Sequence, residues 1–256
     1  MGRGGAAPVR IVQLPADARV APPRPRRSGG GHTDLRLPIG PGGDEGRVLE
    51  VDLLRTGGLL VTGPPGSGRT GALAFLGRHL TAPGVPVLWL GHPAAGAATG
   101  TAAEWRAPDD TAGVSAWVAG LEGRPGVVIA DDVGTPAEWP ALAVLPPLGA
   151  ATGVALIAAS SSGAVAGHYQ GPVVALRRSR AGLLLCPGPG DGEVLGVRLP
   201  RTPLPVRPGS GWLVSGAGIE RVQVARTARS DDGSADRSHR RSIAGPISCV
   251  AYQASS

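Results

Sequence analysis

The sequence contains no lysine, so all 25 of its Lys and Arg positions are arginine. Aromatic side chains are nearly as scarce, with Phe 1, Tyr 2 and Trp 5 in 256 residues. The core must therefore be built from Val, Leu, Ile and Ala. The tryptophans, Trp89, Trp105, Trp117, Trp139 and Trp212, are scattered rather than grouped, which excludes a stacking platform for nucleic-acid bases. Cys186 and Cys249 stand far apart, so there is no disulfide framework and both read as reduced, cytosolic thiols. The histidines (His32, His79, His92, His168, His239) lack metal-ligand spacing, which argues against a metal site built from protein side chains alone. The N-terminus shows no signal-peptide apolar region. Trp139 to Leu176 is the longest uncharged run, but Pro146, Pro147, Gly149, Gly153 and Gly163 break it into short elements. These absences predict a soluble, cytoplasmic protein with no direct membrane insertion.

What is abundant is glycine and proline, Gly 42 and Pro 26. The length suits one α/β domain flanked by tails, enough to bury a substantial core. The formal charge is +6, and much of the arginine lies in the tails, so charge alone does not point to nucleic acid.

The most informative stretch is Leu59 to Thr70, LLVTGPPGSGRT, an apolar strand that runs into a glycine-rich loop and then a helix. Gly63, Pro64, Pro65, Gly66, Ser67, Gly68, Arg69 and Thr70 match the phosphate-binding pattern G-x-x-x-x-G-K-[ST], with arginine in place of lysine. The glycines let successive backbone N–H groups turn inward toward a phosphate. A helix beginning near Arg69 adds the positive end of its dipole. Thr70 is the candidate hydroxyl ligand for Mg²⁺, and Arg69 the candidate cation for the β- and γ-phosphates of ATP.

Along the chain, residues 1–33 read as a Gly/Pro/Arg-rich disordered arm or linker in which only Arg10 to Leu14 looks strand-like. Residues 34–226 read as the ordered domain and 227–256 as a disordered tail. Strands are expected at Leu35 to Ile39, Val48 to Leu53, Leu59 to Thr62, Val85 to Leu90, Val127 to Ile129, Val154 to Ala158, Val173 to Leu176 and Leu183 to Leu185. Helices are expected at Arg69 to Leu80, from an N-cap at Asp109 or Asp110 to about Leu121, and from Thr135-Pro136 onward. Gly91 to Ala103 reads as a loop. Alternating strands and helices predict a mainly parallel sheet with helices on both faces, and the proline-punctuated 182–225 a β-rich closing segment.

A second signature is VVIADDVG, Val127 to Gly134, a buried strand that ends in carboxylates, as in a Walker B motif. Asp131 is the candidate Mg²⁺ ligand beside Thr70, and Asp132 the candidate catalytic base for polarising a water. Ser160 to Ser162 follow the next strand and read either as a γ-phosphate sensor or as a polar turn. Arg177, Arg178 and Arg180 read either as an arginine finger or DNA-phosphate contact, or as solvated surface charge.

With these residues in place, the chain resembles the FtsK/SpoIIIE family of P-loop ATPases, especially actinobacterial FtsK-like proteins and the C-terminal ATPase modules of type VII secretion EccC proteins. The resemblance is carried by LRLPIGPGGDEGRVLEVDLLRTGGLLVTGPPGSGRT (Leu35 to Thr70), by the Walker B segment, and by Gly182 to Ala225. It implies a RecA-like fold, ATP with Mg²⁺, and a homo-oligomer or a larger ATPase assembly. It also implies motor work on double-stranded DNA, as in translocation and cell division, or on a secreted protein substrate, with recruitment to the membrane by a partner. Three departures weaken the motifs: Arg69 replaces lysine, Asp132 replaces a catalytic glutamate, and Ser-Ser-Ser replaces the polar glutamine after the sensor strand. They lead to an expectation of slow or absent hydrolysis. Two alternatives stay open: a non-catalytic partner-binding module of a secretion or translocase assembly, and a DNA translocase fragment.

Overall fold

The computed structural model describes residues 11–20, 35–91 and 104–226. Ten strands form one sheet: β1 (Arg36–Gly42), β2 (Arg47–Asp52), β3 (Gly58–Thr62), β4 (Val87–Leu90), β5 (Glu104–Arg106), β6 (Gly126–Ala130), β7 (Val154–Ser160), β8 (Gly182–Leu185), β9 (Ser210–Ser215) and β10 (Gly218–Gln223). Their order is β2-β1-β10-β9-β8-β3-β7-β6-β4-β5. The strands from β8 to β5 pair in parallel, whereas β8, β9, β10, β1 and β2 pair antiparallel. The closing segment thus extends the parallel sheet rather than lying on it, and it joins β1 and β2 to the body through β10.

The helices are α1 (Leu53–Thr56), α2 (Arg69–Thr81), α3 (Thr111–Gly120), α4 (Ser162–Ala166) and α5 (Pro172–Ser179), with 3-10 turns at Pro140–Val144 and Asp191–Leu195. Every residue of β3, β6 and β7 is buried, and the two-residue side-chain period divides them between two cores. Leu59, Val61, Val127, Ile129, Ala155 and Ile157 face the core that holds Leu73, Phe75 and Leu76 of α2. Leu60, Val128, Ala130, Leu156 and Ala158 face the opposite core, with Val114 of α3 and Val173 and Leu176 of α5. Continuous apolar runs are what a sheet covered on both faces requires. No helix among the described residues is long and apolar enough to cross a membrane.

Three sequence expectations are corrected. Val173 to Leu176 is helix, not strand. Pro172 occupies the first helical turn, Val173 and Leu176 lie three apart on the buried side, and Arg177 and Arg178 fall in the last turn beside the carbonyl end. The helix expected from Thr135-Pro136 does not form. The Thr135 N–H donates to Glu138 Oε2 at 2.8 Å, as in a capping box, but Pro140 has no N–H to continue a helix. A turn therefore precedes the 3-10 segment, which places Pro140 at its own first position. The strand expected to include Leu53 stops at Asp52, whose carboxylate accepts from Arg55 N at 3.1 Å and caps α1.

Residues 11–20 form no named strand and lie against the antiparallel half. Val12 N donates to Asp44 O at 2.9 Å, Arg226 N donates to Ala18 O at 2.7 Å, and the Ala18 side chain is buried. The rest of 1–33, the loop expected over 91–103 from residue 92 on, and the tail 227–256 lie outside the described residues.

Candidate functional site

Parallel pairing brings the carboxyl ends of β3, β6, β7 and β8 to one edge of the sheet, which aligns Thr62 with Ser160 and with Leu184. Loops leaving that edge converge where strand order departs from chain order, the place where open α/β sheets hold ligands. Residues 63–68 leave β3 there. Gly63 passes so close to β8 that an added Cβ would sit 2.5 Å from Leu185 O and from Ser67 Oγ. Gly68, at φ +97°, ends the loop and caps α2; a Cβ there would lie 2.9 Å from Gly209 N. By contrast a Cβ on Gly66 would meet nothing within 4 Å among the described residues, so there the crest of the loop is open.

Three buried side-chain polar atoms in and beside this loop stand unmatched. Thr62 Oγ1, Ser67 Oγ and Arg69 Nη1 are buried and find no partner among the described residues. Gly68 gives no side-chain acceptor to the first N–H groups of α2. Buried hydroxyls and a guanidinium nitrogen are costly to leave unpaired. A loop that orphans three of them beside a helix N-terminus suits an anion with several oxygens. Pro64 and Pro65 are exposed at the loop's rim, and Ser67 N donates to Pro64 O at 3.1 Å to close the turn.

Asp131 follows β6 and is buried. Burial pushes its carboxyl above the usual carboxylate range, opposed by a hydrogen bond from Thr70 and by the charge of Arg69, with Asp132 adding repulsion. Thr70 and Asp131, the two candidate metal ligands, are therefore neighbours. Asp132 takes the left-handed conformation at φ +57°. Its carboxylate lies 3.0 Å from Arg69 Nη2, with the arginine side chain 14% exposed and the aspartate 80%.

The β6 turn is pinned from β7. Val133 N donates to Ala159 O at 2.8 Å, and the buried Ser160 hydroxyl donates to Val133 O. Ser161 caps α4 through a bond from Ala164 N, at 3.2 Å. Ser160 and Ser161 thus have structural partners, and Ser162 opens α4. Of the arginine cluster, Arg177 is directed inward: it donates to His168 O at 3.1 Å and to Val194 O at 3.3 Å. Arg178 and Arg180 are exposed on and just after the last turn of α5.

Sequence reading missed the underside of the loop. Gly209 N donates to Ser67 O at 2.8 Å, so the turn before β9 supports the phosphate-type loop directly. The available signal was Pro208-Gly209 immediately before an apolar strand, a turn placed by composition.

No protein-family model matches this sequence, and no curated protein matches it. Solved structures do. ATPases 2 and 3 of EccC from Thermomonospora curvata, in complex with a signal sequence peptide, align with a TM-score of 0.60 at 17% identity, over 84% of this chain and 44% of theirs. ATPases 2 and 3 of EssC from Geobacillus thermodenitrificans align with a TM-score of 0.59 at 13% identity, over 84% of this chain and 45% of theirs. The conjugation coupling protein TcpA with ATPγS aligns with a TM-score of 0.58 at 12% identity, over 84% of this chain and 71% of that one. This chain spans less than half the length of those two secretion ATPase chains. The fold is the RecA-like P-loop α/β fold expected from the sequence.

Proposed function

We propose that residues 34–226 form an ATP-binding motor ATPase module of the FtsK/SpoIIIE type, with weakened Walker chemistry. The observation that carries this reading is the loop 63–70 and its flanks, where Thr62 Oγ1, Ser67 Oγ and Arg69 Nη1 are buried with no partner among the described residues, while the crest at Gly66 is open and Thr70 neighbours Asp131. In this reading Gly63 to Gly68 hold the phosphates through backbone N–H groups, and Arg69 reaches the terminal phosphates. Thr70 and Asp131 would supply the protein's oxygen ligands to Mg²⁺. When bound, Mg²⁺ neutralises charge on the phosphate oxygens. Asp132 is the base. It is tied to Arg69 by an ion pair, which supports slow hydrolysis.

The moved substrate is a secreted protein or double-stranded DNA. The EccC neighbour was solved with a signal sequence peptide, which supports the first; the second rests on the resemblance to FtsK/SpoIIIE proteins. Homo-oligomerisation or incorporation in a larger ATPase assembly belongs to the same reading, as does cytoplasmic location with recruitment by a membrane partner. The second reading, a non-catalytic partner-binding module, draws support from the same Arg69–Asp132 pair, because it engages the two residues hydrolysis would need free.

A thermal melt with MgATP, followed by phosphate release with and without duplex DNA, tests these readings. Saturation at about 100 times the dissociation constant stabilises by about 2.7 kcal/mol. No shift at millimolar ATP would sink the nucleotide-binding proposal. A shift with no phosphate release selects the non-catalytic module, and release that rises with DNA selects the translocase.

A further inference from the structure

The loop 63–70 is braced by a contiguous set of hydrogen bonds that begins at residues 11–20, far away in sequence. Arg207 is its centre. One end of its guanidinium, Nη2, donates to Leu14 O at 2.9 Å and to Pro15 O at 3.2 Å. Its Nε donates to Gln223 Oε1 at 2.8 Å. Gln223, whose side chain is buried, turns its amide Nε2 to Pro208 O at 3.1 Å. The next residue, Gly209, donates its N–H to Ser67 O at 2.8 Å and accepts from Val224 N at 2.8 Å.

Packing makes this path stiff. A Cβ on Gly209 would lie 2.8 Å from Gln223 Nε2, and one on Gly68 would lie 2.9 Å from Gly209 N. The amide of Gln223 therefore has no free space beneath Gly209, and Gly209 has none beneath Gly68. Losing the Arg207 donor leaves the buried Gln223 carbonyl oxygen unpaired, which favours a rotation of the amide that also breaks its bond to Pro208. Residues 11–20 are in turn fastened at several points besides Arg207. Arg221 Nη2 donates to Val12 O at 2.7 Å, Arg226 N donates to Ala18 O at 2.7 Å, and Ala18 is buried.

We propose that Arg207 is a positioning residue for the loop 63–70, and that docking of residues 11–20 sets that loop's geometry through Arg207, Gln223 and Gly209. For its effect on nucleotide, the inference rests on the nucleotide-binding reading given above. The mechanical coupling does not. Because coupling is reciprocal, an occupied loop also strengthens docking of residues 11–20. The nucleotide site is then sensitive to any partner that engages or removes this strap.

The experiment uses the full chain and two variants, Arg207→Ala and Ala18→Glu, the second prising the strap off by putting a carboxylate into the core that Ala18 shares with the sheet. In the nucleotide-free protein, amide hydrogen exchange at Gly209 and over 63–70 should speed up about tenfold in both variants while β6 and β7 keep their protection. Titration with a fluorescent ADP analogue should show affinity falling about tenfold, with Arg207→Lys recovering only part because an ammonium lacks the fork that reaches two partners. Unchanged exchange at Gly209 and 63–70 in Ala18→Glu overturns the proposal, even if Arg207→Ala fails to fold. Accelerated exchange in the variants, with wild type and variants all ignoring nucleotide, upholds the coupling and removes the nucleotide-binding reading instead.

Discussion

Arg69 and Asp132 hold each other: guanidinium Nη2 lies 3.0 Å from the carboxylate Oδ1, the first side chain mostly covered and the second mostly exposed. These are two of the positions at which the chain departs from the usual Walker residues, and they meet in one ion pair. A guanidinium forks, so Nη2 can engage Asp132 while Nη1 stays buried with no partner among the described residues.

Asp132→Asn removes the charge while keeping a residue that tolerates the left-handed conformation. ATP should bind about two- to fivefold tighter at low salt, the scale of an exposed ion pair. The gain should shrink in salt of about 1 M. Any phosphate release should fall in the same variant, because the carboxylate is the proposed base. Equal affinities at both salt concentrations would show that the pair does not compete with nucleotide.

Arg69→Lys replaces the fork with a compact ammonium that cannot bridge Asp132 and a phosphate together. Nucleotide binding or turnover should increase, by about tenfold for one regained charge-assisted bond. If a titration and a phosphate-release assay both match wild type, the arginine is not what weakens this site.

Asp131 gives a pH dependence of defined sign. Burial raises its folded-state pKa, so the native carboxyl holds its proton more tightly than the unfolded one. Its contribution to stability is fully present below the unfolded carboxylate pKa of about 3.9 and is lost as pH rises through the folded value. Asp131→Asn, which never ionises, should raise the nucleotide-free Tm at neutral pH by about 2–4 °C. The advantage should vanish near pH 4, and Mg²⁺-dependent tightening of ATP binding should be lost. A lower Tm at neutral pH would mean that the Thr70 bond and the Arg69 charge outweigh burial.

Ser160 separates a sensor from a brace. Its hydroxyl donates to Val133 O, so Ser160→Ala should lower stability by about 1–2 kcal/mol through the buried carbonyl it abandons. The ratio of ATP to ADP affinities should not change. A shift in that ratio, measured by competition titration, would restore the sensor role.

Much of the architecture was written locally. The runs in β3, β6 and β7 are apolar at every position, which only a sheet covered on both faces accepts, and Asp110 caps α3 as its position before the helix implies, accepting from Gly113 N at 2.8 Å. Errors came where short segments satisfy opposite readings. Val173 and Val174 are β-branched, yet the helix is selected by burial of Val173 and Leu176 on one side. Thr135 and Glu138 carry a genuine capping pair, yet Pro140, two residues on, forbids the helix. Within the site, the motif residues were legible because their spacing encodes one loop. The Arg69–Asp132 pair and the Gly209 support were not, because they join β3's loop to β6 and β9 across the sheet, and no local pattern records such neighbours.

The support that Gly209 gives to Ser67 also fixes an order of events during synthesis. The motif 63–70 leaves the ribosome before the turn that shapes its underside, which belongs to strands made after the whole parallel half. Contacts so distant along the chain form late and slowly. A nascent chain that has reached only β8 carries the whole phosphate-loop sequence without its floor. On the nucleotide-binding reading proposed above, a finished site would exist only once the closing strands have folded.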